Sequence, residues 1–101
     1  MKESKAERVY RTLKRVPRGK VTTYKALASA CSLSPREVGR ILSQNPYAPQ
    51  VPCHRVVRAD GSIGGYTHKG RQAPERKTCI LEEEGVKISR GRVSKKIMIQ
   101  M

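Results

Sequence analysis

The stretch Ser34-Pro35-Arg36-Glu37-Val38-Gly39-Arg40-Ile41-Leu42-Ser43-Gln44-Asn45-Pro46 carries a helix with both ends written into it. Ser34 suits the N-cap, Pro35 the first helical position, and Glu37 the reciprocal partner in a capping box. Val38, Ile41 and Leu42 recur at helical spacing and supply a buried stripe, and Asn45-Pro46 stops the helix. Upstream, Thr22 or Thr23 caps a helix over residues 24–30. Two short helices joined through Cys31-Ser32-Leu33 read as a helix-turn-helix. Gly39 lies mid-helix, where it costs about 1 kcal/mol relative to Ala. It is read as a point where another backbone, the first helix or DNA, comes close.

Outward from this unit, residues 4–15 read as a helix with Val9, Leu13 and Val16 at helical spacing and Tyr10 beside them. Pro17-Arg18-Gly19 ends it. Residues 45–50 form a Pro-containing loop. Val56-Val57-Arg58 and Ile63-Gly64-Gly65-Tyr66 flank a short turn with extended arms. Residues 67–73 are polar and basic and are expected to be a loop. Residues 74–84 read as a helix with Cys79, Ile80 and Leu81 inward and Gly85 as its stop. The end of the chain, from Val86, is either an edge strand or a mobile tail. The fold expected is mainly α. It is a single small domain over 1–88 with a winged-helix-like helix-turn-helix, an active-site loop and short strands. A basic tail follows at 89–101.

The 101 residues suffice for one compact domain. With no Trp and no Phe, the core must come from Val, Ile, Leu, Ala, Met and the four Tyr. No apolar run approaches the roughly 20 residues of a membrane span, and the N-terminus does not resemble a signal peptide. The net charge of +14, from 22 Lys and Arg against 8 acids, favours nucleic acid as partner. A membrane surface would require a long amphipathic basic helix, and none is evident. Three cysteines, an odd number, fit a reduced intracellular compartment, cytoplasmic (nucleoid-associated) or nuclear. Their spacing matches no zinc motif, so neither metal nor cofactor is expected. A monomer is the default.

Chemistry concentrates in Val51-Pro52-Cys53-His54-Arg55-Val56-Val57. A thiol attacks only as thiolate, and an adjacent imidazole in a basic surround is what it needs near neutral pH. Cys31 and Cys79 are read as buried small hydrophobes. Lys20 and Arg40 read as phosphate contacts or solvated charge, and Arg55 as a structural salt bridge.

Asn45-Pro46, Pro52-Cys53-His54-Arg55-Val56 and Glu83-Glu84-Gly85 together resemble the C-terminal domain of the O6-alkylguanine-DNA alkyltransferases, over about Glu7 to Ile88. The resemblance implies irreversible transfer of an alkyl group from O6 of a flipped guanine to Cys53, once per molecule. It implies His54 as the base that draws the cysteine proton through a water, and Glu84 as the carboxylate that orients and charges the histidine. Asn45 would tie the recognition helix to the active-site loop. Tyr24 would help rotate the nucleotide and donate to the base, and Arg36 would fill the gap in the stack. Thr23, Ser34, Gly39 and Arg40 would lie on the DNA face. Pro52, Val56, Tyr66 and Thr67 would line the base pocket. The partner implied is double-stranded DNA with O6-alkylguanine.

Family members typically carry a separate N-terminal domain, whereas here the first helix begins almost at Met1, so a short form is expected. Many members also have an arginine near the equivalent of Ser43, and the 67–76 loop is longer and more basic than usual. Short length also resembles the alkyltransferase-like proteins, which bind alkylated guanine without repairing it and signal to excision repair. Those usually carry Trp at the position of Cys53. Retention of Cys53 makes transfer the main reading and lesion binding the alternative. A nonspecific basic DNA-binding domain is the third.

Overall fold

The computed structural model describes residues 4–44, 51–64, 67–68, 71–72 and 74–99. Helix α1 (Lys5–Leu13) is opened by Ser4, whose hydroxyl accepts from the Glu7 amide. Strand β1 (Thr22–Thr23) leads directly into α2 (Tyr24–Cys31), which Thr23 caps through the Ala26 amide at 3.0 Å. Ser32 ends α2 in a left-handed conformation, φ 58°. Helix α3 (Pro35–Ser43) follows. Its capping box is complete: the Ser34 hydroxyl accepts from the Glu37 amide at 3.2 Å, and Glu37 Oε1 accepts from the Ser34 amide at 3.3 Å.

A single 3-10 turn, Cys53–Arg55, runs into β2 (Val56–Val57). Strand β2 pairs in parallel with β1, Thr22 opposite Val56 and Thr23 opposite Val57. That pairing fixes the thiol segment beside the start of α2. Residues 67–73, expected as loop, contain a short antiparallel ladder, β3 (Thr67–His68) with β4 (Arg71–Gln72). Polar composition hid it, because these strands lack the alternating apolar pattern that announces a strand. Helix α4 (Pro74–Glu83) ends at Gly85, whose φ of +88° suits glycine.

Hydrophobic burial forms two clusters. Val9, Leu13, Val16, Leu27, Ala28, Cys31, Val38 and Leu42 lock the three N-terminal helices together and reach Val51, Cys53 and Val56. Each fully buried aliphatic side chain contributes about 1.5–3 kcal/mol. Val21, Val57, Ile63, Leu81, Val86 and Val93 form the second cluster, under α4. Cys79 was expected inside but is exposed. The inward stripe of α4 runs instead through Lys77, Leu81 and Glu84, at the i, i+4, i+7 spacing of one helix face, and Cys79 lies off it. At Gly39, a Cβ would meet nothing within 4 Å among the described residues, so no backbone of α1 explains that glycine.

The C-terminal segment folds as a hairpin followed by an isolated bridge to Val21. Strands β5 (Ile88–Ser89) and β6 (Arg92–Val93) make a hairpin whose two-residue turn, Arg90-Gly91, has positive φ at both positions. Val21 then pairs in parallel with Met98, with the Val21 amide on Ile97 O at 3.0 Å and the Ile99 amide on Val21 O at 2.8 Å. Among the described residues, no helix is long and apolar enough to cross a membrane.

Candidate active site

Cys53 opens the 3-10 turn because Pro52 and Val51 bend the chain there: the Cys53 amide donates to Val51 O at 2.8 Å and the Arg55 amide to Pro52 O at 2.9 Å. The turn places Cys53 and His54, both almost fully buried, against α4. Pro52 and Val56 are buried on either side.

His54 Nε2 lies 3.1 Å from each carboxylate oxygen of Glu84. Arg55 grips the same carboxylate, Nε to Oε1 at 3.0 Å and a terminal nitrogen to Oε2 at 2.6 Å, and its other terminal nitrogen donates to Val16 O at 2.8 Å. Two parallel bonds from a guanidinium fix the plane of a carboxylate. Burial works against the charge on Glu84, but the hydrogen bonds from Arg55 and the adjacent His54 outweigh it and hold its pKa below the usual range. For His54, burial dominates and lowers the pKa despite the attraction of Glu84. The imidazole is therefore neutral near pH 7. A carboxylate only accepts, so Nε2 carries the hydrogen and Nδ1 the lone pair. Nδ1 is buried and has no hydrogen-bond partner among the described residues. A neutral histidine with its Nε2–H held by a carboxylate has a lone pair at Nδ1 that can accept a proton.

Tyr24 is the first residue of α2, partly buried. Burial, together with the negative charge that Cys53 would carry, raises its pKa, so the phenol stays protonated and is a donor. Gly64, at φ +75°, passes against its hydroxyl and against Arg58, where a Cβ would lie 3.6 Å from each.

Lys77 was not singled out from the sequence. Its side chain is fully buried, donates to Ile63 O at 2.5 Å, and stands 5.7 Å from the Tyr24 ring centroid. Burial pushes its pKa down to about 8, against the pull of Cys53. The Lys77 ammonium thus stands within electrostatic reach of Cys53. The one sequence clue was its place on the inward stripe with Leu81 and Glu84.

Arg36 and Arg40 project, exposed, from α3 one turn apart. The hydroxyls of Thr23 and Ser34 are engaged in the caps described above, and Gly39 is half-buried between the two arginines. Asn45 and Tyr66 lie outside the described residues, as does the side chain of Thr67. The structure thus brings Cys53, His54, Glu84, Tyr24 and Lys77 together, with the helix-turn-helix beside them.

The chain matches the family described as 6-O-methylguanine DNA methyltransferase, DNA binding domain, over residues 4–86. It is 46% identical over 80 residues to a methylated-DNA–protein-cysteine methyltransferase of Saccharolobus islandicus, covering 79% of this chain and 50% of that one. The crystal structure of the O6-methylguanine-DNA methyltransferase of Pyrococcus kodakaraensis superposes with a TM-score of 0.72 at 49% identity, over 80% of this chain and 46% of that one. S. pombe Atl1, solved in complex with damaged DNA containing O6-carboxymethylguanine, superposes with a TM-score of 0.84 at 26% identity, over the whole of both chains. This chain spans about half the length of the curated relatives it matches. Because the matched residues run through the helix-turn-helix, the thiol turn and α4, the chain belongs to the family of 6-O-methylguanine DNA methyltransferase DNA-binding domains.

Proposed function

We propose that this protein binds duplex DNA as a monomer, takes an O6-alkylguanine out of the stack, and moves the alkyl group to Cys53 in a single turnover. The observation that carries this reading is the buried His54–Glu84–Arg55 array directly after Cys53. His54 Nδ1 takes the thiol proton through a water, and the sulfur attacks the alkyl carbon. The carbon–O6 bond breaks as the carbon–sulfur bond forms, and its electron pair stays on the guanine. Tyr24, held protonated, donates to the base; the proton leaving the thiol balances the one the guanine gains. The thioether is not readily hydrolysed, so the protein is consumed. Arg36 fills the gap left by the flipped base, offsetting a cost of a few kcal/mol. No metal or organic cofactor enters this scheme.

A second reading has its own support in the full-length likeness to Atl1. In it the same pocket holds the lesion without reacting and presents it to excision-repair proteins. Duplex carrying radiolabelled methyl at O6 of guanine separates the two. Covalent label on the protein, saturating at about one per chain, establishes transfer. Lesion-preferring binding with all label left on the DNA favours the second reading.

A further inference from the structure

The family match ends at residue 86, yet the segment beyond it is folded and strongly basic. Lys87, Arg90, Arg92, Lys95 and Lys96 follow one another with no acidic residue through Met101, and all five are exposed. The segment is fastened to β1, the strand that launches α2, through the Val21–Met98 bridge and the Thr22 hydroxyl on Ile99 O at 3.1 Å. Ser94 caps the following 3-10 turn, Lys95–Ile97, through the Lys96 amide at 3.1 Å.

That arrangement leaves a cleft of about 420 Å³ between the start of α2 and the C-terminal segment, lined by Thr23, Lys25, Ser29, Ala59, Lys95 and Met98. It has two ammonium groups, two hydroxyls and no carboxylate. The nearest acid in sequence, Asp60, accepts from the Ser62 amide and hydroxyl and faces Arg92 at 3.9 Å. Neither Lys25 nor Lys95 has an ion-pair partner among the described residues. Two lysines with no ion-pair partner among the described residues, one from α2 and one from the C-terminal segment, suit a polyanion running through the cleft.

We propose that this cleft binds the phosphate backbone of the DNA, making the C-terminal segment a second phosphate-binding element outside the helix-turn-helix. The proposal rests on the DNA-binding reading above and extends it to the C-terminal segment, which the family match leaves out. Lys25 and Lys95 act as point charges to phosphate and carry no base preference.

The test is the salt dependence of duplex binding by the full chain, with and without one O6-methylguanine. Each phosphate contact contributes about 0.9 to the slope of log affinity against log salt. Lys95→Gln and Lys25→Gln should each flatten the slope by about that amount, equally on damaged and undamaged duplex. Lys14→Gln removes the same charge from the C-cap of α1, beside a different cavity, and should leave the slope near the wild-type value. Unchanged slopes for Lys95→Gln and Lys25→Gln, with wild-type binding and methyl transfer intact, overturn the cleft and leave the transferase reading standing. The same flattening in all three variants would show a net-charge effect and also overturn it. A wild-type protein that fails to bind DNA overturns both.

Discussion

His54 and Glu84 meet with Nε2 equidistant, at 3.1 Å, from both carboxylate oxygens, while Arg55 braces the far side of the same carboxylate. The carboxylate plane is fixed before the histidine uses it. Its charge then orients the imidazole and raises the basicity of Nδ1.

Replacing Glu84 with Gln keeps the shape and removes the charge. Transfer from a methylated duplex should slow on the order of 10²-fold in single-turnover measurement, the scale of general-base effects. Affinity for the lesion duplex should change less than about twofold, because the Glu84 carboxylate is engaged by His54 and Arg55. An unchanged rate would remove Glu84 from the mechanism.

The pH dependence follows from His54. Its folded pKa lies below the ordinary 6.5, because burial disfavours the charged ring. The neutral base therefore persists through neutral pH, and the transfer rate should hold until the pH falls below 6.5. Stability has the same sign: the unfolded chain takes up this proton first. The contribution is present above pH 6.5 and is lost as pH falls through the folded pKa. A rate–pH profile from pH 5 to 7.5, beside unfolding midpoints over the same range, checks both. Loss of activity beginning well above pH 6.5 would contradict it.

Lys77 separates stability from function. Lys77→Met removes a buried cation whose pKa is pushed to about 8, but also leaves Ile63 O without its ammonium donor. These effects oppose each other, so the unfolding midpoint should move by no more than about 5 °C, near 1 kcal/mol for a domain this size. Transfer at pH 7, and alkylation of Cys53 by iodoacetamide, should both slow by about tenfold, since the attacking sulfur loses its neighbouring ammonium. Wild-type reactivity in a folded Lys77→Met protein would make Lys77 a packing residue only.

In the proposed reaction Arg36 serves extrusion of the base rather than the chemistry. Arg36→Ala should slow transfer from duplex about tenfold or more, while a single-stranded oligonucleotide, which needs no extrusion, loses much less. Equal losses on both substrates would reduce Arg36 to a general phosphate contact.

What the sequence made legible was what is local in the chain. The Ser34–Glu37 capping box and the Cys53–His54 adjacency depend on neighbours within a turn, and residue types alone reveal them. The part of Glu84 came through the family resemblance, since pairing it with His54 requires α4 to fold back over the thiol turn. Lys77 was missed because a lysine reads as surface, and only its stripe with Leu81 and Glu84 betrays it. Cys79 was placed inward for the converse reason: its apolar character outweighed its angular position. The bridge from Met98 to Val21 joins residues far apart in the chain, and no local pattern encodes a pairing at such separation. The β3–β4 ladder was obscured by its polar composition.

The most direct measurement is the intact mass of the protein after incubation with a duplex holding one O6-methylguanine, followed by peptide mapping. A gain of one methyl, roughly 14 Da, on Cys53 and on neither Cys31 nor Cys79 is the predicted result. An unchanged mass, with the lesion duplex demonstrably bound, would contradict transfer and make Cys53 the floor of a lesion-binding pocket.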